Sequence, residues 1–452
     1  VRVVALAALL ALALPLDGAV AQFAPGARAV GMGGGGMVFA TGVDAVELNP
    51  ANLGWRNGWS FSLYEFGVAT LGTGATFADL VTVLGGDWPF SGSDLAVPQI
   101  IDGLPDEGVG ASFVTEGFAT QQGIDQIGES VPGVGSPIPS IGFTYGRFGL
   151  RLRSRVMFDT ALSKELADLI GNGFVEERIQ EYVVRNTGFR AMSASEVTAS
   201  FGTMVGEVLS VGVGARYVRG HKLADGRFFE PVLDLVSSPQ TLSVSSVVVE
   251  STGGKGFGID VGFSLELPVL GLRVSASGTN VFQRMTWEDE LIAHSATFTD
   301  STLDAEEFVD LLDLYRAQTV DPASVSLPVY VAARELFEES YFPAIFRGGV
   351  GMQRGGTSVE LVGISVAPRG RYTSAWDERI SLGLEQRIPV LTLRAGLALA
   401  QDGLRAYTGG VGLRAGSLHF DAGLGVFDGK DGATPYDGGY VTIALQLMGG
   451  GA

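Results

Sequence analysis

Arg147–Asp159 reads RFGLRLRSRVMFD. Phe148, Leu150, Leu152, Val156 and Phe158 take the even places, and Arg147, Arg151, Arg153 and Arg155 the odd ones. A β-strand sends successive side chains to opposite faces. The segment is therefore a strand with an aliphatic and aromatic stripe on one side and an arginine stripe on the other. A wall with lipid outside and water inside asks for that division. A soluble sandwich shows it for a single strand; a membrane barrel repeats it.

The pattern repeats along the chain. Gly256–Leu267 sets Ile259, Val261, Phe263 and Leu265 against Asp260, Gly262, Ser264 and Glu266. Leu272, Val274 and Ala276 oppose Arg273, Ser275 and Ser277, and Ile380, Leu382, Leu384 and Ile388 oppose Ser381, Gly383, Glu385 and Arg387. Leu418, Phe420, Leu424 and Val426 oppose His419, Asp421, Gly423 and Gly425. Such segments recur from 59–70 to 438–448, with lengths near the ~9–11 residues of a tilted membrane strand. Backbone groups in lipid must be satisfied internally, so the sheet has to close. The parity fails around 283–343, where the register is not readable.

Composition fits this class. Of 452 residues, 66 are glycine and 17% are charged, with a formal net charge of −19. That charge argues against nucleic acid as a partner. No cysteine is present, which removes disulfides and thiolate metal sites. His221, His294 and His419 match no metal-ligand spacing, and no cofactor or metal is expected. No G-x-S-x-G elbow occurs, the Glu306-Glu307 pair is adjacent rather than on one helix face, and no nucleophile, base and orienting group come together as a set. An enzyme is not the expectation.

Val1–Ala21 reads as a cleaved secretory signal: Arg2, an apolar run over Val3–Leu16, then Ala19-Val20-Ala21. Residues 22–57 follow as a glycine-rich segment, PGARAVGMGGGGMVFATGVDAVELNPANL over Pro25–Leu53. Gly31-x-Gly33-x-x-Gly36 matches a dinucleotide-binding string, but the strand that must precede that motif is missing. Asn49-Pro50 favours a turn, and Asn52 tolerates left-handed geometry.

Gly26-Ala27-Arg28-Ala29-Val30-Gly31-Met32-Gly33-Gly34, with Asn49-Pro50-Ala51, resembles the opening of the FadL-type and PorV-like outer-membrane barrel proteins. Asn52 stands where that pattern has glycine. The resemblance implies an all-β fold, a transmembrane antiparallel barrel of about 14 strands (12–18) with an even number. It also implies an N-terminal hatch in the lumen, whose residues here are Phe23, Gly31, Met32, Gly33, Gly34, Gly35, Gly36, Met37, Asn49, Pro50 and Asn52. The barrel then occupies 58–452, with partly helical insertions at 76–131 and 283–326, the second containing Leu303–Tyr315.

Strand parity places Arg151, Arg153, Arg155, Arg216, Asp260, Glu266, Arg273, Arg347, Glu385, Arg387, Arg394 and Asp421 toward the lumen. A lipid-facing arginine near the midplane would cost roughly 2–4 kcal/mol. Asp437-Gly438-Gly439-Tyr440-Val441-Thr442-Ile443 resembles the final-strand signal read by the barrel-assembly machinery, although the chain ends on Ala452 rather than an aromatic. Partners are then outer-membrane lipid, that machinery, and a hydrophobic small molecule or a secreted protein. Three functions stay open: FadL-like passage of small hydrophobic molecules across the bacterial outer membrane through a hatch-gated lumen, a PorV-like secretion or surface-assembly role, and a structural barrel or porin. For the hatch, a gate that moves and a static plug are both open. In the gate reading, Gln22–Met37 yields to ligand while Asn49–Leu53 stays anchored.

Overall fold

A computed structural model describes residues 26–55, 58–73, 109–116, 140–162, 188–228, 232–234, 241–251, 253–268, 271–287, 292–300, 342–367, 378–400, 403–429 and 436–449. The Val1–Ala21 leader, Phe23 and Leu303–Tyr315 lie outside them.

The first strand, β1 (Trp59–Thr73), pairs along its length with the last, β18 (Tyr436–Gly449), and this pairing closes the sheet. Between β1 and β4 (Phe148–Leu162), β3 (Ile141–Tyr145) fills one end and β2 (Val109–Glu116) the other. Next come β5 (Gly188–Val205) and β6 (Leu209–Phe228). Along β6, β8 (Thr241–Ser251) and β9 (Gly254–Leu267) lie end to end, and the short β7 (Val232–Asp234) pairs with β8. Against them lie β10 (Leu272–Trp287) and β11 (Ile292–Asp300), again end to end. The wall then runs up and down through β12 (Ala344–Arg354), β13 (Thr357–Ala367), β14 (Arg379–Arg387), β15 (Leu391–Ala400), β16 (Arg405–Ala415) and β17 (Leu418–Asp428). Among the described residues the eighteen segments fill fourteen places in one closed antiparallel barrel.

One end of the barrel carries the tight turns. Gly146, Gly355 and Gly416 take φ of 56°, 59° and 61° at the first turn position, the II′ pattern that matches strand twist. Arg147 belongs to the first of these turns, where it is exposed and donates to Thr203 Oγ1 at 3.2 Å. The strand ends at 162/188, 367/379 and 428/436 lie at the other end.

The structure revises two sequence boundaries. Val109–Glu116, inside the 76–131 segment read as an insertion, is wall strand β2. The 283–326 segment begins with the end of β10 and also holds β11. Just before that segment a bulge interrupts the ladder: the β9–β10 register shifts between Gly278 and Phe282, with Asn280 at φ 55°. β10 advances four residues there while β9 advances two, so the parity is kept: Ala276 before the bulge and Phe282 after it are both exposed on the outer face. A second bulge inserts His221, since Ala194 pairs with Gly220 and Ser193 with Lys222.

The two faces differ as lipid and lumen require. Phe148, Leu150, Val213, Phe257, Leu382, Leu384 and Leu424 are exposed on the outside, while Arg151, Arg153, Arg216, Asp260 and Glu385 are buried within. Inside the barrel lies 26–55, folded as α1 (Ala27–Gly31), α2 (Val43–Leu48) and a 3-10 helix over Pro50–Trp55.

Candidate functional site

The hatch sits in a seat made of glycine. At Gly142 and Gly149 an added methyl would run into Val43 and Val46, and at Gly202 and Gly212 into the Pro50–Ala51 backbone. Across the lumen, Gly396 faces the Met32–Gly33 peptide and Gly423 the Ala27 carbonyl. Glycine allows this backbone approach because it has no Cβ. The inner-face glycines of β3, β4, β5, β6, β15 and β17 therefore give the hatch its room.

Polar contacts fix both halves of the hatch. Asn49 Nδ2 donates to the Phe263 carbonyl at 3.1 Å, and Asn49 Oδ1 accepts from the Ala51 N–H at 3.1 Å. Asn52 is not left-handed. It lies in the 3-10 helix, and its Nδ2 donates to the Met37 carbonyl at 2.8 Å, tying the turn to the end of the glycine run. Gly33, Gly34 and Gly36 have φ of 73°, 84° and 77°, a conformation a side chain would strain. Gly33 N–H donates to Thr408 Oγ1 at 2.9 Å, and Ser381 Oγ donates to the Gly33 carbonyl at 2.7 Å. Gly31 and Gly35 serve by close approach, Gly31 against Gly410 and Gly35 against the Met32 carbonyl. Met32 and Met37 are fully buried.

Two ionic clusters join hatch to wall. In the first, Arg28 of α1 reaches Glu360 of β13 at 2.8 Å and Glu385 of β14 at 3.0 Å. Glu385 also binds Arg387 at 2.6 Å and Arg394 at 2.8 Å, and Arg394 binds Asp421 at 2.6 Å. The other Glu360 oxygen accepts from the Val38 N–H at 2.8 Å. Burial alone would lower the Arg28 pKa, but the carboxylates of Glu385 and Glu360 outweigh it and hold the guanidinium above its ordinary value.

In the second cluster, Glu47 of α2 meets Arg151 at 2.8 Å, Arg153 in closer contact, and Arg155 at 3.7 Å. Glu196 of β5 binds Arg153 at 2.8 Å and also contacts Arg216, which reaches Asp260 at 3.0 Å. Arg151 holds Glu65 at 2.8 Å. Here the charges balance, Arg151, Arg153, Arg155 and Arg216 against Glu47, Glu65, Glu196 and Asp260. Buried charges persist only with such pairing.

Arg273 and Glu266 pair at 2.8 Å near the tight-turn end, and the Arg273 guanidinium stands over the rings of Phe39 and Trp55 at 5.0 and 4.8 Å. Arg347 donates to Thr279 Oγ1 at 2.9 Å.

Sequence reasoning missed the hatch's own charges. Arg28 and Glu47 carry the joint, and the signal was present: with Asp44 they are the three ionisable residues of Pro25–Leu53. The Asp44 Oδ1 is buried without a hydrogen-bond partner, as is the Glu47 Oε2, which stands 2.8 Å from Arg151 Nη1. Burial raises the Asp44 carboxyl above the ordinary range, with the Arg151 guanidinium pulling the other way.

Beyond the hatch, toward the long connections, the inner wall carries an apolar group beside the buried Arg190–Asp225 pair. Met192, Ala194, Val218, Leu223 and Phe342 form a buried cluster with Met285 and Trp287 against it. Gly220 and Gly254 leave space for the Trp287 ring, and the Arg155 guanidinium stands 5.3 Å from the Phe342 ring centre. A second apolar group, Ala398, Leu404, Ala406, Phe427 and Tyr440, packs with Val30 of α1. Among the described residues no three His, Asp or Glu side chains are grouped to hold a metal ion.

No family model matches the chain, and no curated protein matches it. Three solved structures are similar to it at low identity. A FadL homologue of Pseudomonas aeruginosa is 12% identical, with 96% of this chain and 98% of that chain covered and a TM-score of 0.47. The Ralstonia pickettii toluene transporter TbuX is 16% identical over 96% and 98% of the two chains, with a TM-score of 0.49. The Pseudomonas putida toluene transporter TodX is 12% identical over 96% and 99%, with a TM-score of 0.44.

Proposed function

We propose that this chain is an outer-membrane barrel that passes small hydrophobic molecules, with Gly26–Trp55 as the hatch that keeps polar solutes out. The observation that carries the reading is the apolar cluster of Met192, Val218, Leu223, Phe342, Met285 and Trp287. It lies on the long-connection side of the hatch. An open porin would keep a water-filled interior, whereas here charged groups are paired and the hatch fills the space between them. The FadL-type opening motif supports the same reading from the sequence.

Within this function the hatch is a fitted plug more than a free gate. The Gln22–Met37 stretch of the gate reading includes Arg28, Met32 and Gly33, which are held by ion pairs, burial and hydrogen bonds. A ligand moves such a segment only if it binds the displaced state better.

Uptake of a radiolabelled monoaromatic hydrocarbon and of a small sugar, compared in proteoliposomes, tests the function. Faster hydrocarbon entry, reduced severalfold by Trp287→Ala with Phe342→Ala and with no gain in sugar flux, is the expected result. Sugar flux without hydrocarbon uptake in the unaltered protein would overturn it.

A further inference from the structure

At the tight-turn end, wall and hatch meet in one stack. Arg273 lies at the start of β10, directly opposite Glu266 of β9, and its Nη2 donates to Glu266 Oε2 at 2.8 Å. The same guanidinium stands 5.0 Å from the ring centre of Phe39 and 4.8 Å from that of Trp55. Phe39 follows the glycine run and is buried, and Trp55 ends the 3-10 helix.

Two donors of this stack are unused. Arg273 Nε and Trp55 Nε1 are buried, and among the described residues neither has a hydrogen-bond acceptor. The pairing with Glu266 occupies Nη2 and the stacking occupies the guanidinium face, so the Nε–H is left over, and an indole has only the one donor. Buried donors without an acceptor are costly, and folded proteins keep few of them. The stack also reaches solvent: the Glu266 side chain is 35% exposed and that of Arg273 14%.

We propose that this stack is a binding subsite for an uncharged aromatic molecule that carries an oxygen, the chemistry of a phenol. The oxygen accepts from the Arg273 Nε–H and the Trp55 Nε1–H. The ligand ring packs against Phe39 and Trp55, since aromatic pairs are favourable at centroid separations of roughly 4.5–7 Å. Glu266 already neutralises Arg273, so an aromatic carboxylate meets repulsion there, and a plain hydrocarbon leaves both donors unmet. The inference deepens the reading of the lumen as a path for small hydrophobic molecules and rests on it for the ligand's route. A bound water is the alternative occupant.

Nuclear magnetic resonance of the full chain in detergent micelles, labelled with nitrogen-15 at tryptophan, tests it with phenol, toluene and benzoate as probes. Trp55→Phe assigns the Trp55 indole signal. Phenol should move that N–H signal downfield and saturate, while toluene and benzoate leave it in place. Arg273→Met should weaken phenol binding about tenfold, the loss of one hydrogen bond from a charged donor. A Trp55 shift no larger than that of exposed Trp59 overturns the subsite and leaves water as the occupant. An equal shift with toluene or benzoate overturns recognition of a neutral oxygen. If Arg273→Met alters the spectrum as a whole, the three probes on the unaltered protein decide alone. Hydrocarbon uptake is read separately in proteoliposomes: a saturable Trp55 shift without uptake keeps the subsite and removes the transport reading.

Discussion

Arg28 and Glu385 are 357 residues apart in the chain and 3.0 Å apart in the lumen, Nε to Oε2. The pair pins the start of the hatch to the far wall, and Glu360 completes it from β13 at 2.8 Å. All three groups are nearly or fully buried, so removing one leaves its partners charged in a site without water to replace it.

Arg28→Gln should therefore weaken hatch docking by roughly 3–5 kcal/mol, the usual cost of breaking a buried pair from one side. Liposome swelling with a small sugar should rise severalfold, while the barrel keeps its heat-modifiable mobility. Arg28→Lys should restore only part of the seal, since an ammonium lacks the fork that reaches both carboxylates. An unchanged swelling rate would show that the ion pairs do not hold the plug.

The glycine seat makes a steric prediction. Gly212→Ala places a methyl into the Pro50–Ala51 peptide, whereas Gly409→Ala on β16 finds its nearest neighbour 3.9 Å away. The first change should raise hydrogen exchange over Pro50–Trp55 and leave the strands protected; the second should change neither. Equal protection in both variants would mean that the hatch is not seated where these glycines are.

Asp44 gives a pH dependence of definite sign. Its carboxyl is raised in the docked hatch, so the docked state holds the proton more firmly than the free state, whose value is about 3.9. Docking is then least costly at acid pH and weakens as pH rises from that ordinary value through the raised one. Asp44→Asn should protect Val43–Leu48 from exchange better than wild type at neutral pH, the difference vanishing below the ordinary carboxylate range. A difference that grows on acidification would reverse the assignment.

The outer wall is tested by charge. Leu382→Arg, in the middle of the lipid-facing stripe of β14, should cost roughly 2–4 kcal/mol in denaturant unfolding from liposomes, and Leu418→Arg beside the tight turn about 0–1. Equal costs would argue against a membrane-spanning wall.

Much of the barrel is legible residue by residue, because strand parity is a local property. The stretch from Phe148 to Arg155 declares its two faces with no knowledge of its neighbours, and Gly146, Gly355 and Gly416 mark tight turns in the same local way. The inward direction of Arg151, Arg153 and Glu385 follows from parity, since each stands next to a leucine of the apolar stripe. Val109–Glu116 was not legible as wall, since its short run of mixed small and polar residues declares neither face. The bulge at His221 was not legible either, because one inserted residue leaves composition unchanged while it switches the faces that follow.

By itself, then, the sequence determined that the chain is a closed antiparallel barrel with an apolar outside and a charged inside, for period-2 alternation requires nothing beyond nearest neighbours. Only the tertiary structure decided which charges meet. Arg28 finds Glu360 and Glu385, and Glu47 finds the arginines of β4, through curvature that closes over hundreds of residues. The same closure turns scattered glycines on separate strands into one seat. Partner choice inside a barrel depends on which strands face each other across the lumen, and no local pattern records that distance.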